Sequence, residues 1–120
     1  MRYLLATCIA FCMAFGAVSC GDDEKTTSTK AVSATVCERY AECDEETYNG
    51  KMGGTQESCI EIVGLIFFGE ALCPSYDDVD GTACDNWVYE ATCVELDEFS
   101  QAFQQGAAAK DHPCSIACGL

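Results

Sequence analysis

The stretch MRYLLATCIAFCMAFGAVSC, residues 1–20, decides how the fold is held together, because it determines which of the eleven cysteines belong to the folded chain. It starts with one cation, Arg2, continues with an apolar run over residues 4–18 and ends in small residues. This order is typical of an export signal. The apolar run is shorter than the roughly 20 residues that a membrane-spanning helix needs. We therefore predict that residues 1–19 are a signal peptide.

Residues 17–20 read Ala-Val-Ser-Cys, and acidic residues follow at 22–24. This segment resembles the lipobox of the bacterial lipoprotein class, although Ala17 stands where Leu is usual. The resemblance implies cleavage before Cys20, thioether lipidation of its sulfur, palmitate or a similar acyl group on the new amino terminus, and a lipid-anchored location in the bacterial cell envelope. Gly21 after the cysteine implies the outer membrane rather than the inner one, by the enterobacterial sorting rule. The alternative is an ordinary secretory signal, which would release a soluble cysteine-rich protein.

Cysteine parity favours lipidation over ordinary secretion. Cys8 and Cys12 leave with the signal peptide, and lipidation uses Cys20, so that eight cysteines remain. These are Cys37, Cys43, Cys59, Cys73, Cys84, Cys93, Cys114 and Cys118. An even set in a short exported chain is typical of a disulfide framework, whereas ordinary cleavage would leave Cys20 as an odd thiol.

The charge of the mature chain restricts its partners. All 20 acidic residues lie after Cys20, and removal of Arg2 with the leader gives a formal charge of −15, one unit more negative than the −14 of the full chain. Nucleic acid is excluded as a partner, because phosphate contacts need Lys and Arg. Anionic lipid head groups are disfavoured too, so attachment to the membrane would depend on the lipid anchor. The acidity favours solubility, and recruitment of cations or of a basic partner is the alternative.

Residues 20–33 comprise the lipidated terminus and a segment rich in Thr, Ser and charge, which we predict to be a disordered tether. Residues 34–120 then form one cysteine-rich domain. Its pattern predicts a mainly α fold, a small disulfide-stabilised bundle of about three helices with a cysteine-tied C-terminal tail.

Capping residues and helical spacing predict helices from Thr35 to near Glu46, from Thr55 to before Pro74, and from Thr82 to before Gly106. The second helix is apolar almost all round over residues 59–69, which is typical of a central, buried helix, although a strand is the alternative. The third helix has a candidate break near Asp97. Residues 75–81 are predicted to be an acidic loop.

The pairing of the eight cysteines does not follow from the sequence. If the helices are antiparallel neighbours, the pairs are Cys43–Cys59, Cys73–Cys84, Cys37–Cys93 and Cys114–Cys118. A bridge within one helical turn has awkward geometry, so an exchange of the last pair with Cys73 or Cys84 stays open.

Two stretches contain candidate metal ligands. Asp77, Asp78 and Asp80 precede Gly81 as in part of a calcium loop, but carboxylates are absent from the first and last ligand positions. We therefore favour a solvated turn over a loose calcium site. The only histidine, His112, lies close to Cys114, but a zinc site needs thiolates that an oxidising compartment removes.

No catalytic motif of the GxSxG, HExxH or Walker type occurs in the sequence. The carboxylate pairs Glu38 with Glu42 and Glu57 with Glu61 have the spacing of solvated helix faces. We therefore expect no enzymatic activity, no catalytic residue, no cofactor and no metal.

The expected function is that of a membrane-anchored, non-catalytic interaction or structural module, with an unknown envelope protein as its partner. The aromatic residues Tyr40, Phe67, Phe68, Trp87, Phe99 and Phe103 recur at helical spacing and are predicted to be core. The second helix has more apolar surface than a small bundle needs. An alternative is therefore a carrier of a small hydrophobic ligand, held in a groove along Ile62, Leu65, Ile66 and Phe68.

Overall fold

The structure, a computed structural model, describes residues 25–120. The predicted signal peptide and Cys20 lie outside these residues. The described part contains α1 (Thr29–Cys43), α2 (Glu45–Gly50), α3 (Gln56–Ile66), α4 (Asp78–Glu90), α5 (Cys93–Gln104) and α6 (Pro113–Ala117). It contains no strand, so the mainly helical, disulfide-stabilised fold is confirmed. Within these residues no helix combines the length and the hydropathy that crossing a bilayer requires.

The first helix begins earlier than predicted, at Thr29, because Ser28 serves as its N-cap. Thr27 is also held against the domain: its amide donates to the Asp78 carbonyl at 2.9 Å, and its carbonyl accepts a hydrogen bond from the Tyr76 hydroxyl. Val32 on this helix is fully buried. The predicted disordered tether over residues 20–33 therefore differs from the structure in its last part, which is helical.

Two helices, α4 and α5, replace the single third helix of the prediction. Asp77, and not Thr82, caps α4, so the predicted acidic loop already contains the first turn of a helix. The break does not lie near Asp97. It comes before Cys93, where the Thr92 side chain and the Glu95 carboxylate form a capping box that starts α5.

Helix α1 is the centre of the domain. It packs closely against α3 on one side and against α4 on another, and α4 in turn packs against α6. One buried cluster joins α1 to α3 through residues such as Cys37 and Val63. A second joins α1, α4 and α6 through Val32, Val88 and Ala117.

The prediction that the second helix is central and buried is wrong. In the corresponding α3, Cys59 and Val63 are fully buried, but Leu65 is 78% exposed and Ile66 is 45% exposed. The reason is that, among the helices of residues 25–120, α3 has extended backbone contact with α1 and with no other, so the domain covers one stripe of its surface.

The eight predicted cysteines form four disulfides. These are Cys37–Cys59 between α1 and α3, Cys43–Cys93 between α1 and α5, Cys73–Cys118 between the segments after α3 and after α6, and Cys84–Cys114 between α4 and α6. The framework is confirmed, but each of the four preferred pairs is wrong. The alternative in which Cys114 and Cys118 pair with Cys73 and Cys84, and not with each other, is confirmed. The other two pairs differ because α1 is the central helix and because the helix break moves Cys93 to the start of α5.

We predict that reduction unfolds the domain. The bridges close loops whose ends are 22 to 50 residues apart, and native bridges of this kind typically stabilise by about 2–4 kcal/mol each. Thermal unfolding followed by far-UV circular dichroism should be cooperative in the oxidised protein and lose its cooperative transition in excess reductant. A reduced and alkylated sample that melts like the oxidised one would contradict the prediction.

Candidate functional site

An apolar cavity of about 320 Å³ lies among α1, α4 and α5, and residues after α3 complete its lining. Six aromatic side chains line it, namely Tyr40, Phe67, Phe68, Trp87, Phe99 and Phe103. These are the residues that helical spacing predicted to be core. Phe67 and Phe103 are buried, but the other four are only partly covered. The aromatic residues therefore surround a space instead of filling one another's gaps.

One face of α1 forms the inner wall. Val32, Val36, Tyr40 and Cys43 all line the cavity. They lie three or four positions apart, which is the spacing of residues on one side of a helix. Two disulfides also contribute to the lining, Cys43–Cys93 at the end of α1 and Cys84–Cys114 between α4 and α6.

Helix α5 forms the outer wall and, in the described part of the chain, has no extended backbone contact with another helix. Side chains hold it in place. The Ser100 and Tyr40 hydroxyls are 3.2 Å apart and hydrogen-bonded. The Phe103 and Phe67 rings are stacked with centroids 5.9 Å apart, and Phe99 packs edge-on to Trp87 at 5.3 Å. Because α5 meets the rest of the domain through side chains and not through close backbone packing, a space remains between α5 and α1, and this space is the cavity.

Arg39 is the cation in the lining, and most of its guanidinium is already engaged. Its Nη1 donates to the Glu42 carboxylate at 3.0 Å, and its Nη2 donates to the Ala91 carbonyl at 2.6 Å. The second bond fixes the end of α4 to α1. Only Nε is buried without an acceptor.

Two carboxylates, those of Asp44 and Asp97, also line the cavity. Asp44 accepts hydrogen bonds from the Thr47 hydroxyl at 2.6 Å and from its amide at 3.1 Å, and these bonds lower the pKa of Asp44. Burial raises the pKa of Tyr40, and the charges of Asp44 and Asp97 raise it further. The polar part of the cavity therefore includes, besides Arg39 and Ser100, the Tyr40 phenol with two carboxylates acting on it.

His112 packs against the aromatic residues from α4 and α5. Its ring stacks on Phe99 at 3.9 Å and meets Trp87 edge-on at 4.2 Å. Its Nδ1 accepts a hydrogen bond from the Cys114 amide at 3.0 Å, which places the proton of the neutral ring on Nε2. Burial lowers the pKa of His112, so the ring is neutral when it caps α6.

The residues considered as metal ligands in the sequence have structural roles in the fold. The Asp77 carboxylate accepts from the Asp80 amide at 2.9 Å as the N-cap of α4, and Asp78 begins the same helix. Cys114 is bonded to Cys84 and offers no thiolate to His112. Among residues 25–120 no three His, Cys, Asp or Glu side chains converge in a way that could hold a metal.

The carboxylate pairs on α1 and α3 do not meet in a cleft. The side chains of Glu38, Glu42, Glu57 and Glu61 are all exposed on α1 and α3. Glu42 is the one that forms an ion pair, with Arg39.

The predicted groove along the second helix is not where the structure places the cavity. Of Ile62, Leu65, Ile66 and Phe68, only Phe68 lines it. Leu65 instead borders a shallow depression between α3 and α1. The signal that could have located the cavity was the aromatic set, because its members come from four different segments.

No protein-family model matches the chain, and no curated protein or solved structure is significantly similar to it.

We predict that His112 makes stability depend on pH just below neutrality. The unfolded chain takes up a proton near the ordinary histidine pKa of 6.5, whereas burial lowers the pKa in the fold. Stability present above pH 6.5 is therefore lost as the pH falls, because only the unfolded state gains the proton. Protonation would also convert Nδ1 from an acceptor to a donor and break its bond to the Cys114 amide.

The measurement is calorimetric unfolding between neutral pH and about pH 5.5, a range in which ordinary carboxylates stay ionised. The unfolding temperature of the native chain should fall across this range. His112→Asn keeps a side-chain acceptor at the N-cap but cannot titrate, and it should give a flat profile. Parallel profiles for the two proteins would show that His112 is not responsible.

Proposed function

We propose that this chain is an exported lipoprotein, anchored through Cys20, whose domain is a non-catalytic binding module of the bacterial cell envelope. The observation that carries the proposal is the pairing of all eight cysteines beyond residue 25 with one another. A framework of this kind supports folding in an oxidising compartment. It also leaves Cys20 out of the disulfide set of the domain, as lipidation requires. Gly21 supports the outer membrane as its location.

Intact mass of the mature protein, made in a bacterial host with its own leader, tests the anchor. We expect a chain that begins at a lipidated, amine-blocked Cys20, and alkylation should add nothing before reduction. After reduction it should modify the eight domain cysteines. Cys20→Ala is the matched control and should lose both the lipid mass and the membrane fraction. A free amine on an unmodified Cys20 would instead indicate a secreted soluble protein.

The cavity supports a second, more specific function, in which the module carries a small apolar ligand. Folded interiors rarely keep voids much larger than a water molecule, because empty space forfeits dispersion contacts. A lining of aromatic side chains with a few polar groups is typical of small-molecule sites, and the volume of about 320 Å³ is at the lower end of their range. The carrier function therefore belongs to this cavity and not to the surface of α3.

Trp87, the single tryptophan, lines the cavity and reports on its contents. Titration with octanol should change the Trp87 emission in a saturable way. Val36→Phe adds a ring to the inner wall and should abolish this response, because the added volume occupies the ligand's space.

Val94→Phe is the matched control, since Val94 is 66% exposed on α5, and it should bind octanol like the native chain. Leu96→Phe fills the cavity from the opposite side and replaces Val36→Phe if that variant does not fold. An unchanged Trp87 emission in the native chain, or equal binding by the filled and control variants, would overturn the carrier function.

A further inference from the structure

We infer that the cavity selects amphipathic cations: molecules with a compact apolar body and one ammonium-type head. This inference rests on the proposed carrier function and adds the chemical class of the ligand. It comes from the combination of an aromatic lining with two carboxylates, Asp44 and Asp97, in the same lining.

The aromatic rings provide the first argument. The faces of Trp, Tyr and Phe rings carry partial negative charge and attract a cation at close range. Trp87, Tyr40 and Phe99 line one cavity on three different sides, from α4, α1 and α5. Aromatic rings on three sides of a single space favour an alkylammonium head over a carboxylate of the same size.

The carboxylates provide the second argument. Asp44 is fixed by two hydrogen bonds from Thr47, and Asp97 accepts one from the Gln101 amide at 2.9 Å. Both act electrostatically on the hydroxyl of Tyr40. Since all three residues line the cavity, a ligand head beside Tyr40 is near two negative charges.

Arg39 does not reverse this preference. Its guanidinium is paired with Glu42 and is held in place by the Ala91 carbonyl, so its charge is balanced within α1. The lining contains one cation and two carboxylates, and the charges that act on them, Glu42 on Arg39 and Lys51 on Asp44, leave the carboxylates in excess by one. A ligand carboxylate would have to enter this negative surrounding, and of the three guanidinium nitrogens of Arg39 only Nε is still without an acceptor.

The test compares octylamine, octanol and octanoate, which share one apolar tail and differ in the head. With Trp87 emission as the readout, octylamine should bind about tenfold more tightly than octanol, and octanoate more weakly than either. High salt should reduce the advantage of the amine but leave octanol unchanged.

Asp44→Asn combined with Asp97→Asn should remove the advantage of octylamine and preserve octanol binding. Asn is a good N-cap, so the start of α2 keeps its acceptor. Glu57→Gln combined with Glu98→Gln is the matched control: it removes the same charge from exposed positions outside the lining and should keep the preference.

Equal affinities for the three ligands, or tightest binding of octanoate, would overturn the cation preference and leave the carrier function standing. Failure of all three to change the emission of Trp87 would overturn both. Loss of the preference in the control variant as well would assign it to the overall charge and would overturn the role of Asp44 and Asp97.

Discussion

The Cys43–Cys93 bridge ties the first turn of α5 to the last turn of α1, and this link limits how the outer helix can move against the rest of the domain. Close packing would normally draw the apolar sides of two helices together until their side chains interdigitate. Here α5 contacts the domain through side chains: Ser100 is hydrogen-bonded to Tyr40 of α1, and Phe103 stacks on Phe67. These contacts keep the backbone of α5 apart from that of α1. Cys84–Cys114 fixes α4 to α6 on the other side of the cavity. The cavity therefore lies within a covalent frame that resists its collapse.

The cysteine set could be predicted from the sequence, but the pairing could not. Parity identifies which cysteines are used, because it depends only on counting. Pairing depends on which helices are neighbours, and that depends on the breaks between helices. The pattern Thr92 to Glu95 is a capping box in the sequence itself, and it would have placed Cys93 at the start of a new helix opposite Cys43. Similarly, Ser28 is an ordinary N-cap signal that moves the start of α1 into the predicted tether.

The candidate site shows a different limit of sequence reasoning. Helical spacing identified the inward side of each helix correctly for Tyr40, Trp87 and Phe99, since all three point into the interior. Spacing along one helix carries no information about the distance to the next helix, so it cannot distinguish a filled core from a lined cavity. The prediction that the second helix is buried was wrong for a related reason. Its composition predicted burial on all sides, but in the described part of the chain α1 is the one helix that covers it closely, and Leu65 is exposed there.

The acidity of the chain connects the proposed anchor with the proposed ligand class. The formal charge of −15 that the chain would have after the proposed cleavage disfavours contact with anionic head groups, so an anchored domain would stay near a lipid surface without adhering to it. The same surface concentrates amphipathic cations, whose tails enter the bilayer and whose heads pair with anionic lipids. The Lys25 carbonyl accepts a hydrogen bond from Thr82 at 3.1 Å, so only residues 21–24 separate Cys20 from chain that is held by α4. Even fully extended, that segment spans less than roughly 20 Å. Under the proposed lipidation, the domain would therefore lie within a short distance of the surface where its proposed ligands accumulate.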